Sequence, residues 1–318
     1  MTNYLLKRLV QTIPVLFLVT VFVFLMLHLT PGDPVSVIMN ARSDPYTPEE
    51  YAEVQRQLGL DRPLPVQYVS WLGGIFQGDF GTSLFMRREI GPLLLERMGA
   101  TATLAGGALL FALPIGLLSG VISAILRGTL WDRLINIIVV AGVALPTFAL
   151  GLFLIVLFGV EWKILPVGGM TTFGDGSMVD RVQHLVLPAF CLAVGPAAII
   201  ARLTRSAMLE VLNQDYIRTA WAKGFTFNTV VRRHAFRNVL IPVITVIGLQ
   251  VGYLLGGAVL VEIVFAWPGM GEMIVSAIQQ RDFPVVQAGV LVIAISFLLI
   301  NLIVDVIYAI VDPRVKYA

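Results

Sequence analysis

Charge is what the chain has least of. Only 13% of its 318 residues are Asp, Glu, Lys or Arg while 57% are apolar, against about a quarter charged in soluble domains. That balance excludes an ordinary soluble fold. Cysteine is limited to Cys191, so no internal disulfide forms, and the three histidines, His28, His184 and His234, are too scattered for metal-ligand spacing. No G-x-x-x-x-G-K-[ST] occurs, so nothing cradles nucleotide phosphates. "GLLSG" at 116–120 lacks the G-x-S-x-G spacing of a nucleophile elbow. An intramembrane aspartyl protease would need a second buried carboxylate to share a proton with Asp305, and no other apolar run contains one. The sequence therefore points to a membrane protein that holds no catalytic centre and no cofactor, and no nucleic-acid partner is expected.

What it has instead is long uncharged runs. Six reach the roughly 20 residues that cross a bilayer: Val10–Leu29, Met98–Leu126, Leu134–Val160, Val182–Ala201, Val239–Val261 and Phe283–Val304, the last extending toward Val311. The first follows Lys7-Arg8 as a secretory signal would. Its run is longer than a signal core of about 7–15 residues and no small-residue cleavage site precedes "TPGDP", so a retained helix is expected.

Orientation follows from the cations, which concentrate on the cytoplasmic side. With the N-terminus inside, the cytoplasmic pieces hold 13 of the 22 Lys and Arg residues and four acids, while the outer pieces hold 9 cations and 15 acids. The reading is an all-α protein of six transmembrane helices with both termini cytoplasmic. Residues 1–29 form the N-terminus and first helix, 30–97 an extracytoplasmic segment with short helices, and 98–318 a five-helix core with a cytoplasmic loop at about 202–238.

Within 30–97, "TPEEYAEVQRQLG" predicts a helix capped by Thr47, with Pro48 in its first turn, Glu49 and Glu50 facing the dipole, and Gly59 as its stop. In "VQYVSWLGGIF" the stripe Val66, Val69, Leu72, Ile75 and Phe76 predicts a short amphipathic helix, lying on the outer membrane face or packed on the protein's own spans. Gly248, Gly252 and Gly256 form a GxxxGxxxG face in the fifth run, and Gly116 and Gly120 a similar one in the second, as close helix packing requires, within the chain or against a second subunit. Pro14, Pro114, Pro146 and Pro196 are expected to kink the runs that contain them. The intramembrane polar set is small. Gln250 suits polar contact between helices, and Asp305, with Asn301 on the same face, either serves function or pairs near the inner membrane surface.

The stretch "DYIRTAWAKGFTFNTVVRRHAFRNVLIP" at 215–242 is set between two apolar runs and carries its own pattern. Asp215 at a helix start, then Tyr216, Arg218, Thr219, Ala220, Trp221 and Lys223, predict a short helix ended by Gly224, at a tight turn where no side chain is expected to fit, and followed by Phe225. Aromatic Tyr216, Trp221, Phe225 and Phe227 are typical anchors of a protein interface. A basic loop that only touches lipid headgroups is the plainer alternative.

"RTAWAKG" followed by "RHAFRNVLIP" resembles the EAA loop of binding-protein-dependent ABC importer permeases, in the form of the dipeptide, oligopeptide and nickel branch. Arg218 and Thr219 stand where the usual loop has an acid and an alanine, Ala220 and Gly224 are retained, and Pro242 lies beyond the usual proline place, which Arg237 fills. "KRLVQTIPVLFLVTVFVFLMLHLTPGDPV", "QLGLDRPL", "GDFGTS", "VEIVFAWPGMG", "RDFPVVQ" and "DPRV" are similar to this branch's first permease subunit and extend the resemblance over nearly the whole chain. The resemblance implies the type I importer fold in a bacterial inner membrane. It implies as partners a homologous second permease, two cytoplasmic ATPases that bind ATP and Mg, an extracytoplasmic binding protein and membrane lipid. The loop from Asp215 to Phe225 would then couple to the ATPases, and the cargo would be a short peptide, glutathione or a nickel complex. A proton-coupled secondary transporter is the alternative, weakened by the shortage of ionisable groups inside the runs.

Overall fold

The structure, a computed structural model, describes residues 2–29, 35–36, 47–57 and 60–311. All its regular elements among these residues are helical, and extended backbone pairs only at the isolated bridge between Thr82 and Glu89. The α-helices of eight or more residues are α1 (Thr2–Leu29), α2 (Pro48–Gln57), α3 (Leu64–Phe76), α4 (Ile90–Ile125), α5 (Leu130–Ala144), α6 (Thr147–Leu154), α7 (Met178–Leu212), α8 (Asp215–Ala222), α9 (Phe236–Val264), α10 (Met270–Gln280) and α11 (Phe283–Val311), and a π-helix over Val230–Ala235 leads into α9. Long apolar runs fold this way because hydrocarbon offers no hydrogen-bond partner, so each backbone group must bond within its own helix. Gly59, "DPRV" and the side chain of Asp305 lie outside the described residues.

Among the described residues, three helices are long and apolar enough to cross a membrane unaided: α4, α7 and Phe283–Val304 of α11. α4 and α7, of 36 and 35 residues, outrun the apolar stretches that predict them, because a helix need not stop where the hydrocarbon does. The run expected as one kinked helix over Leu134–Val160 is instead broken. Leu130–Ala144 and Thr147–Glu161 meet at 106°, the second piece ending in a π-helix over Ile155–Glu161. Pro146 drives the preceding Leu145 out of the helical region, to ψ 127°, and its own ψ is 131°. Two consecutive extended residues turn a kink into a corner. A milder bend of 51° separates Phe227–Leu240 from Pro242–Leu254.

Internal contacts divide the chain into two compact units. The first holds residues 5–99 and 269–298. Here Thr47 and Glu50 cap α2 reciprocally, at 3.2 and 2.8 Å. α3 packs on its own protein, and the residues that do so are aromatic rather than the expected stripe: Tyr68 and Trp71 meet Phe24 of α1 at ring distances of 5.4 and 5.9 Å, and the Tyr68 hydroxyl shares a 2.8 Å hydrogen bond with Thr20. Val69 and Phe76 of the stripe stay exposed. Two motifs 199 residues apart interlock: Ser83 of "GDFGTS" donates its hydroxyl to buried Asp282 of "RDFPVVQ", which also accepts the amides of Leu84 and Phe85 at 3.2 Å. A cleft of about 460 Å³ lies beside them, lined by Trp71, Phe80, Thr82, Phe283 and Gln287.

The second unit holds residues 1–4, 100–268 and 299–318. Its α4 and α7 touch almost backbone to backbone. A Cβ at Gly116 would stand 2.9 Å from the Ala197 carbonyl oxygen, and one at Gly120 would stand 2.6 Å from that of Ala201. The early half of α7 packs with the late half of α9 through Leu187, Cys191, Leu254, Ala258 and Val261. Its end packs with the start of α9 through Met208, Val239 and Val243. At the end of α9, "VEIVFAWPG" is anchored by fully buried groups: Glu262 accepts from the Thr101 hydroxyl at 2.7 Å, and the Trp267 indole donates to the Ala100 carbonyl at 2.9 Å.

Candidate partner-docking site

After α7 the chain turns through Asn213 and Gln214 into α8, the eight-residue helix expected from the sequence. Asp215 opens it against the positive end of the helix dipole. Its 3.4 Å pair with Arg218 is almost fully exposed and adds little. The helix is held from below instead. Ile217 and Ala220, three residues apart on one face, are buried among Ala207, Met208, Val230, Val231 and Ala235. Burying an isoleucine side chain contributes ~1.5–3 kcal/mol, enough to seat a helix too short to persist alone.

The opposite face is open. Tyr216, Arg218, Thr219, Trp221, Lys223 and Phe225 are all exposed. The aromatics among them are braced rather than loose: Trp221 lies 6.0 Å from Phe227, Phe225 lies 5.4 Å from the His234 ring, and the Tyr216 hydroxyl accepts from Asn238 at 3.0 Å. Gly224 ends the helix with φ +78°, its amide donating to the Trp221 carbonyl at 2.9 Å. The reason for glycine differs from the expected one. Nothing lies within 4 Å of a Cβ added there, so the demand is on backbone conformation and not on space.

The remaining sequence-selected residues do not join this surface. In α9, Gly248 lies against Val304 of α11, Gly252 is buried, and Gly256 is exposed with nothing within 4 Å. Gln250 is buried and its carbonyl oxygen has no hydrogen-bond partner among the described residues; Asn301 is half-buried. No group of three His, Cys, Asp or Glu among the described residues is placed to hold a metal.

A polar cluster where α4, α5 and α7 meet was not selected from the sequence. α4 ends at Ile125, Gly128 turns the chain at φ +82°, and Thr129 caps α5. Buried Asp132 in the first turn of α5 then accepts from Ser123 (2.6 Å), the Gly128 amide (3.0 Å), Asn136 (2.7 Å) and both Nε and Nη2 of Arg205 on α7 (3.0 and 2.9 Å). In the sequence these residues register only as one more cytoplasmic acid and cation.

Comparison with known proteins agrees with this architecture. Residues 112–317 match the family model of the binding-protein-dependent transport system inner membrane component, and residues 1–105 match the model of the N-terminal part of such membrane components. The di/tripeptide transport system permease protein DppB of Pseudomonas aeruginosa is 45% identical, covering 100% of this chain and 99% of its own. The glutathione transport system permease protein GsiC of Escherichia coli K12 is 43% identical over the full length of both, and the dipeptide transport system permease protein DppB of the same strain is 40% identical over 100% and 99%. In fold, the chain resembles the MetNI methionine ABC transporter in an inward-facing conformation, with a TM-score of 0.58 at 22% identity, over 69% of this chain and 96% of that one. The chain belongs to the family of inner-membrane permease components of binding-protein-dependent transport systems.

Proposed function

We propose that this chain forms half of the solute pathway of an ATP-driven importer for short peptides, and that the open face of α8 is the socket for a cytoplasmic ATPase. A homologous second permease supplies the other half, two ATPases bind ATP and Mg, and an extracytoplasmic binding protein delivers the solute. The cargo class rests on full-length relatives named for di/tripeptides, dipeptides and glutathione, all short peptides.

The observation that carries the coupling role is the two-faced build of α8: anchored by Ile217 and Ala220, it presents braced aromatics and two cations outward. A helix fixed to the end of a membrane span is a lever, and nucleotide can favour one of two arrangements of the spans through it.

The reading of six crossings requires an odd number of them between α4 and α7, and helix directions support that part of it. Contacts between α4 and α7 advance together, Gly116 with Ala197, Gly120 with Ala201 and Ser123 with Arg205, so the two helices run parallel. Parallel neighbours require an odd number of crossings between them, and the bent pair Leu130–Glu161 supplies one. Trp131, exposed between Arg127 and Arg133 at the start of α5, suits the cytoplasmic membrane surface.

Replacing Gly224 with valine tests the socket. The variant is expected to insert normally, to lose co-purifying ATPases and to abolish dipeptide uptake in reconstituted vesicles. Retention of the ATPases would refute the assignment. A proton-driven carrier would instead take up dipeptide without any ATPase when only a pH gradient is imposed.

A further inference from the structure

We infer that Asp132 and Arg205 are positioning residues for energy coupling: their ion pair is the tie through which movement of α8 reaches the α4–α5 corner. The inference rests on the reading of α8 as the ATPase socket.

The pair is placed where such a tie is needed. Arg205 lies seven residues before the last residue of α7, about 10 Å along the axis at 1.5 Å per residue, and only Asn213 and Gln214 separate that end from α8. Above Arg205 the Gly116 and Gly120 contacts hold α4 against α7. Below them no glycine continues the seam, and polar groups take over.

The geometry has little slack. Arg205 grips the Asp132 carboxylate with two nitrogens, a fork that fixes direction as well as distance. Ser123 of α4 donates to the same carboxylate and accepts from Arg205 Nε at 3.0 Å and Asn136 at 3.2 Å. One carboxylate thus joins the end of α4, the Gly128 turn, the start of α5 and the shaft of α7. A lone cap for α5 would need none of this, since Thr129 already accepts the Asp132 amide. A surface ion pair would leave both partners open to solvent, whereas Asp132 is 5% exposed, Ser123 1% and the Arg205 side chain only partly, at 27%. The cluster is built to make the corner follow α7.

The test is the number of ATP molecules hydrolysed per solute imported, measured on the complete reconstituted transporter and normalised to assembled complex. Arg205→Gln and Asp132→Asn are expected to assemble and hydrolyse ATP but to raise that ratio by at least about 5-fold, the lower end of usual coupling energies. Arg205→Lys, which keeps the charge and loses the fork, should fall between them and the unaltered protein. A purely structural pair would lower the yield of complex and leave the ratio untouched. The inference is overturned if assembled variants keep the original ratio, or if all three variants only fail to assemble. The Gly224→Val experiment separates the two readings. If that variant keeps its ATPases, the socket itself is wrong; if it sheds them while Arg205→Gln couples normally, only the tie is wrong.

Discussion

At the scale of single residues, glycine serves two distinct purposes here, and substitution separates them. At Gly120 the constraint is space: an added Cβ meets the Ala201 carbonyl oxygen and Thr204, both at 2.6 Å. Backbone cannot step aside as a side chain can, so Gly120→Ala is expected to destabilise the protein by ~1–3 kcal/mol, read as a lower midpoint of thermal unfolding in detergent. At Gly224 the constraint is φ, with open surroundings. Asparagine tolerates the left-handed region better than alanine or valine do, so Gly224→Asn should retain more ATPase than Gly224→Val in the same co-purification assay. The left-handed turn was legible, because a glycine after a short polar helix is a common stop. Its reason was not, because open and crowded glycines look alike in one dimension. The tie between Asp132 and Arg205 was illegible for a related cause: the partners are 73 residues apart, and only the packing of α4, α5 and α7 brings them together.

At the scale of elements, the apolar runs announced most of the helices, but of the four prolines expected to kink them only Pro146 marks a break, Pro14, Pro114 and Pro196 lying inside continuous helices. Pro188 and Pro196 sit inside an unbroken α7, whereas Pro146 ends one helix and starts another at 106°. The difference lies in ψ of the residue ahead, which local sequence does not determine. α9 shows the same limit. Its GxxxGxxxG spacing marks one face, yet Gly248 meets Val304 within the chain while Gly256 faces open space. Gly256→Leu is therefore expected to leave this subunit's own thermal stability unchanged and to reduce its co-purification with the second permease. Equal recovery of that partner would show that the face meets lipid instead.

At the scale of the whole molecule, the direction of insertion can be read with one reagent. The natural Cys191 is buried at 2% exposure and free, so it is a quiet background for thiol labelling. A cysteine in place of exposed Lys223 should resist a membrane-impermeant maleimide added to intact cells and react in inside-out vesicles. Labelling from outside would reverse the topology and remove the socket from the reach of any cytoplasmic ATPase. The family itself was legible from motifs spread over the chain, and their physical sense appeared only in three dimensions. "GDFGTS" and "RDFPVVQ" are two ends of one clasp, made by Ser83 and Asp282.

The corner at Leu145 and Pro146 has a bearing on what surrounds the protein. Helical bonding is interrupted there: the Pro146 carbonyl takes the Ala149 and Leu150 amides, while the Thr147 and Phe148 amides that open α6 have no backbone partner among the described residues. Leu145 and Phe148 on either side are each 51% exposed on this chain. Acyl chains would leave those amides unsolvated at a cost of several kcal/mol each. Hydrocarbon is thus the wrong neighbour for this elbow, whose flank belongs against protein or water.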